Sequence, residues 1–360
     1  MVRSTFRVGA GIIAAFFCFA CAPAQPDTGR SAVTPVAAAQ PPVCAFDHIA
    51  MVSATFDPTN ANATPMPAGS IPAYVQNDLT AAFNLAPAFF KTQLCGLDGI
   101  FIAPTGDSWG FRNIQDGKRY LALSMSLWKG GAVQSFSQYE NGVVHRLLNG
   151  WKALNHPAKG DPSDAPAVTV LAALAHEYGH ILFYETFVNP RGSAPNYGAF
   201  CSGTFFSDSW QAMPNVPNIW RSYGDIVGTH KPDDVQVQEI LNAVPRPGSP
   251  DTRGAGALLR RLYGLNGTNA PIGRWASFFA SFSPDEDFVE TFKLFVLKNS
   301  LAPLKSFKIT IPVGGVLISE DIPGTCNQRS ALVKKLGCFA QKFCSGPTVD
   351  PCGVICPASH

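Results

Sequence analysis

Charge is scarce in this sequence and neither sign prevails: Asp, Glu, Lys and Arg make up 14% of the 360 residues, 27 basic against 25 acidic. So even a balance builds no field that would gather nucleic acid or an acidic surface, and neither is expected as a partner. Beyond the N-terminus there is no apolar run long enough to cross a bilayer, so no transmembrane helix is expected in the mature chain. No internal repeat is present, which excludes a solenoid or a propeller. Glycine and proline are plentiful instead, at 32 and 30 residues, and point to a loop-rich folded protein rather than a helical bundle. The length suits one large domain or two small ones.

The N-terminus carries an address. Arg3 and Arg7 precede an apolar run from Val8 to about Ala22, too short and wrongly flanked for a spanning helix. Residues 1–24 therefore read as an export signal, with cleavage near 21–25. Ala22-Pro23-Ala24 offers a small-residue cleavage site, whereas Phe19-Ala20-Cys21 loosely resembles a lipobox, whose alternative outcome is a lipid anchor. An Ala/Pro-rich linker over 25–43 suits a tether in either case. The expected location is periplasmic or extracellular, free or lipid-anchored.

Removing the signal with Cys18 and Cys21 leaves Cys44, Cys95, Cys201, Cys326, Cys338, Cys344, Cys352 and Cys356. In an oxidising compartment this even number reads as a disulfide framework whose pairing the sequence does not decide. Five of the eight fall from Cys326 onward without the paired spacing of a zinc ribbon, which predicts a disulfide-rich tail over 325–360.

Apolar spacing predicts a helix from Tyr74 to Lys91 and strands at Gly99 to Ala103 and Tyr120 to Leu127. A helix is expected from Ser137 to Leu154, and a long apolar one from Ala167 to Thr186 after the turn at Asp161 to Pro166. A Gly/Pro/Ser/Asn-rich loop follows from Asn189 to Trp220. Helical patterns resume at Val235 to Val244, Ala255 to Leu265, Ile272 to Phe282 and Pro284 to Asn299, and Phe307 to Glu320 reads as a hairpin. The expected class is α+β: a main domain over 44–324 with a small mixed sheet and a mainly helical C-terminal half, and the cysteine-rich tail as an appendage.

Within the long helix stands His176-Glu177-Tyr178-Gly179-His180. Residues four apart lie one turn above each other, so the two imidazoles share a face at a separation one zinc ion can bridge. Glu177 beside them suits a general base toward a water on that metal, and Gly179 is read as leaving room nearby for metal or substrate. The chain holds seven histidines and seven glutamates, so chance makes this pattern with a probability of roughly a few in a thousand. The flanks Ala172 to Ala175 and Ile181 to Phe183 are apolar, and polar groups set into a buried helix need a reason.

A catalytic zinc needs a third protein ligand. Glu185 lies roughly opposite His176 at about 100° per residue and is set aside. His230, Glu140, Glu239 and Glu320 have no supporting pattern, nor do the isolated His48, His145 and His156. Glu286 and Glu290, in Ser283-Pro284-Asp285-Glu286-Asp287-Phe288-Val289-Glu290, share a helical face. The same spacing fits a capping box with Ser283 as cap and Pro284 first in the helix, so it alone leaves ligand and cap open.

The two motifs together resemble the gluzincin metallopeptidases, especially bacterial exported ones related to the anthrax lethal factor catalytic domain. The resemblance covers about Ala167 to Leu297 and implies a zincin-like domain with its sheet packed on the histidine helix. It implies one Zn2+ per chain held by His176, His180 and Glu286, with Asp287 and Glu290 orienting the histidines. It also implies hydrolysis of a peptide or protein substrate with Glu177 as base. A tyrosine seven residues before the ligand glutamate is usual in that group, and Phe279 stands there; Tyr178, Tyr223 and Tyr263 are candidates to replace it. The strand at Tyr120 to Leu127 is the expected aligner of an extended peptide. A zinc-binding envelope protein with little turnover is the alternative function, and a hydrolase of other amides or of cell-wall peptide bridges shares the same chemistry.

Overall fold

A computed structural model describes residues 51–55, 66–104, 108–113, 116–131, 133, 136, 139–140, 166–188, 196–212, 220–222, 275–277, 279–281, 283–300, 307–313, 316–322, 331–347 and 356. The chain divides into two units, 1–43 and 44–360. The expected export signal and linker, the helices predicted at 235–244 and 255–265, and most of that at 137–154 lie outside the described residues. Among the described residues no helix is long and apolar enough to cross a membrane.

The fold is mixed α and β. Two short strands, β1 (Met51–Thr55) and β2 (Met66–Gly69), precede helices α1 (Ala73–Leu85) and α2 (Ala88–Cys95). The single helix expected from Tyr74 to Lys91 is thus two, and the cause is local. Pro87 disfavours helical backbone at the residue before it, and Ala86 is extended with φ −61° and ψ 142°.

Strands β3 (Gly99–Ala103), β4 (Trp109–Arg112) and β5 (Arg119–Ser124) complete a sheet in the order β2-β1-β3-β5-β4. The inner strands β1, β3 and β5 run parallel, while β2 and β4 are antiparallel to their neighbours. β5 gives way to a 3-10 turn at Met125–Gly131, so the strand expected to reach Leu127 stops short. It is also flanked by β3 and β4, and so has no edge for an incoming peptide; among the described strands the terminal one on this side is β4.

The long helix is α3 (Pro166–Phe187), and its apolar residues are buried on nearly every side. It packs against β4, β5 and α1 on one flank and against α4 (Pro284–Lys298) on the other. Two glycines set these approaches. A Cβ on Gly110 of β4 would fall 1.5 Å from the Glu177 carbonyl oxygen, so only glycine lets the strand lie on the helix backbone there. A Cβ on Gly179 would sit 3.1 Å from the Val289 Cα. The room at Gly179 is therefore taken by α4, not by a metal or substrate as its place in the motif suggested.

The loop predicted at 189–220 holds 3-10 turns at Tyr197–Ala199 and Cys201–Gly203 and a small ladder of β6 (Trp210–Ala212) with β7 (Trp220–Ser222). Of the helix expected at Ile272 to Phe282, residues 275–277 are not helical and a 3-10 turn stands at Phe279–Ser281. The predicted hairpin is β8 (Phe307–Val313) paired antiparallel to β9 (Val316–Ile322).

The described part of the tail is not an appendage. It forms α5 (Ala331–Phe343), packed on α4, with Phe339 fully buried against Phe288, Phe292 and Phe295. Disulfides join Cys201 to Cys338 and Cys344 to Cys356, and Cys95 is disulfide-bonded as well.

Candidate metal centre

The site forms where α3 and α4 face each other. Ser283 caps α4 by accepting a 3.0 Å hydrogen bond from the Glu286 backbone N–H, and Pro284 starts the helix. This half of the capping box does not consume the Glu286 side chain. Its Oε2 lies 3.9 Å from His176 Nε2 and its Oε1 3.9 Å from His180 Nε2. One ligand atom from each of His176, His180 and Glu286 lies within 4.8 Å of the others.

Glu286 Oε2 is buried and has no hydrogen-bond partner among the described residues. A buried carboxylate oxygen left in this way is costly unless a cation sits against it. Two imidazoles and one carboxylate are also a donor set that suits zinc and leaves a fourth position open. The residues present therefore fit the metal that the sequence implied.

Each histidine has its own carboxylate partner. His176 Nδ1 meets Glu290 Oε1 at 2.6 Å. His180 Nδ1 lies 3.5 Å from Asp285 Oδ1, a neighbour not anticipated from the sequence. Asp287, expected to orient a histidine, does something else. Both its oxygens accept from Lys335 Nζ of α5, at 2.8 and 2.6 Å, and Trp210 Nε1 donates to it at 2.9 Å. One step along a helix turns a side chain by about 100°, so if Glu286 faces α3 then residues 285 and 287 diverge to opposite sides.

Electrostatics follow from this crowding. Burial pushes the Glu286 carboxyl up to about 7, with both imidazoles pulling the other way. Burial disfavours charge on His180, but Asp285 and Glu286 outweigh it and hold the ring up to about 10. For His176, burial is likewise outweighed by the Glu290 hydrogen bond and by the charges of Glu177, Glu290 and Glu286, so its value is raised. Glu290, although buried, is held below the usual carboxylate range by Lys293 and His176.

Glu177 is buried and lies in the field of both imidazoles. Phe279 stacks on His176, with centroids 5.9 Å apart and planes at 20°, so an aromatic ring rather than a phenol occupies that place. Tyr178 turns into the core and donates to Gln93 Oε1 at 2.8 Å, which removes it as a replacement; Tyr223 and Tyr263 lie outside the described residues. Glu185 pairs with Arg119 at 2.7 Å and with Arg112 at 3.4 Å, on the sheet side of α3 and away from the metal site. His230 and Glu239 are outside the described residues.

Sequence reasoning passed over Glu140 and Lys293, which stand behind Glu290. Lys293 Nζ donates to Glu290 Oε2 at 2.7 Å and to Glu140 Oε1 at 2.5 Å. The three-residue step from Glu290 to Lys293 was visible as a helical neighbour, but nothing local announced Glu140, which comes from 153 positions away.

Comparison of the chain with protein-family models, with curated proteins and with solved structures finds no match.

Proposed function

We propose that this chain is an exported zinc-dependent metallopeptidase with one Zn2+ per chain on His176, His180 and Glu286. The observation that carries the reading is the convergence of two imidazole nitrogens with a buried, unpartnered carboxylate oxygen from a facing helix. Zinc bound there would supply a water of lowered pKa and Lewis-acid polarisation of a carbonyl.

The remaining work falls to the chain. Glu177 is placed to take a proton as a peptide carbonyl is attacked and to return it to the departing amine. Glu290 holds His176 from behind through its 2.6 Å hydrogen bond, and Asp285 places a charge 3.5 Å from the back of His180. β4 ends the sheet beside Glu177 and is the strand on which an extended peptide would pair, giving main-chain recognition with side-chain pockets as the source of preference. The zincin-like assignment draws support from this order: a mixed sheet lying on the histidine helix, followed by a helix bearing the third ligand.

The disulfides favour an oxidising compartment, in keeping with export, free or lipid-anchored. A second reading, a zinc-binding envelope protein with little turnover, draws on Phe279, which offers no phenol to a developing oxyanion. Cleavage of a mixed peptide library separates the two. The peptidase reading expects the zinc-loaded wild type to cut and Glu177→Gln to keep its zinc while losing about a hundredfold or more in rate. A zinc-loaded wild type that cuts nothing favours the second.

A further inference from the structure

Behind the histidines runs a buried chain of charge that the peptidase reading does not itself require. It begins at His176 Nδ1, passes through Glu290 Oε1 at 2.6 Å, and leaves by Glu290 Oε2 to Lys293 Nζ at 2.7 Å. It ends on Glu140 Oε1, 2.5 Å from the same ammonium. Glu290, Lys293 and Glu140 are 2%, 5% and 3% exposed, so water contributes little to any of them. Burying three charges has a desolvation cost that a well-packed apolar trio avoids, so stability alone is a poor reason for the arrangement.

The geometry points to another. Each oxygen of Glu290 faces a different partner, one an imidazole and the other an ammonium, so the carboxylate is fixed at both ends. Lys293 is held in turn from its far side by Glu140 and cannot swing away. With Glu290 kept as an acceptor, His176 Nδ1 must be the donor, and Nε2 is left to face Glu286 and the metal position. Although buried, Glu290 is held below the usual carboxylate range by this ammonium and the imidazole, whereas burial pushes the Glu140 carboxyl up despite the same ammonium, so Glu290 is the fixed acceptor at the back of the imidazole.

We propose that Lys293 and Glu140 are positioning residues of the metal centre, acting through Glu290 to fix the ring plane and tautomer of His176. This inference rests on the zinc reading for its binding consequence. Its effect on the imidazole can be read without metal.

The test compares wild type with Lys293→Met and Glu140→Gln. Zinc affinity is expected to weaken 10- to 100-fold in Lys293→Met and in the same direction in Glu140→Gln. Visible absorption of the cobalt-loaded proteins should differ from wild type, since it reports ligand geometry rather than fold. In the zinc-free proteins, NMR should find a downfield, slowly exchanging Nδ1 proton on His176 in wild type and its loss in the variants. Lys335→Met serves as the control: an equally buried lysine on the other flank of α4, it should lower the melting temperature with zinc affinity within about threefold of wild type.

Variants that melt lower but keep wild-type zinc affinity, cobalt spectrum and Nδ1 proton overturn the proposal and leave the network a structural one. Should Lys293→Met fail to fold, Glu140→Gln decides by the same readouts. A wild type that takes up no zinc sinks the metal reading, while the Nδ1 proton still decides whether Lys293 and Glu140 set the imidazole.

Discussion

At the residue scale the decisive fact is that neighbouring acids on one helix turn do different work. Glu286 faces the histidines, Asp285 stands behind His180, and Asp287 is clasped by Lys335. Removing Lys335 leaves Asp287 as an uncompensated buried charge, so Lys335→Met is expected to cost about 3–5 kcal/mol in denaturant unfolding; a change below about 1 kcal/mol would contradict the assignment. The site itself should respond to pH. Glu286 is held up to about 7 and His180 up to about 10, both above their ordinary values, so the metal-free folded state binds these protons more tightly than the unfolded chain. Their contribution to metal-free stability is complete below the ordinary values and is lost as pH rises through about 7 and then about 10. Melting of zinc-stripped protein should therefore fall between about pH 6 and pH 10, while zinc affinity rises over the same range as the ligands lose their protons. A metal-free melting temperature that climbs with pH would refute this. His176, Glu177 and His180 were legible because their geometry is local to one helix. The fate of Asp285 and Asp287 was not, because it depends on which flank of α4 meets α3 and which meets α5.

At the scale of elements, the candidate centre exists because α3 and α4 approach closely enough to bring ligand atoms of His176, His180 and Glu286 within 4.8 Å of one another. Gly179 opposite Val289 permits that approach. Gly179→Ala places a Cβ 3.1 Å from the Val289 Cα and Cγ1, so one helix must shift. A loss of about 1–3 kcal/mol is expected, together with weaker zinc binding, because the ligands stand on both helices. Unchanged stability with unchanged zinc affinity would show that the contact is slack. Helices α3 and α4 could be read from the sequence because an apolar run and a Ser-Pro start announce them within a few residues. The break between α1 and α2 was announced too, by Pro87, but the apolar spacing runs across it and conceals it. β4 was hidden because four residues, Trp109 to Arg112, follow a Gly/Asp loop and have too little length for alternation to show. Its place as the terminal strand among those described is a property of the sheet and of no local pattern.

At the scale of the molecule, the described part of the cysteine-rich end belongs to the core rather than trailing from it. Phe339 of α5 is buried against α4, and the Cys201–Cys338 bridge closes a sequence separation of 137 residues. Opening so long a loop should release much unfolded-state entropy, and Cys338→Ser is expected to lower stability by about 2–5 kcal/mol. An unchanged denaturation midpoint would contradict a structural role for the bridge. The cysteine count indicated disulfides but not their partners, since pairing depends on where α5 docks, and its docking face is set by phenylalanines distributed over α4 and the loop at Phe200 to Phe206. Metal binding is tested by the zinc content per purified mature chain, for wild type, His176→Ala, Glu286→Ala and Glu185→Ala. About one zinc is expected in wild type and Glu185→Ala, and a sharp loss in His176→Ala and Glu286→Ala. Absence of zinc from the wild type after remetallation, or its retention in Glu286→Ala with its loss in Glu185→Ala, would contradict the metal assignment.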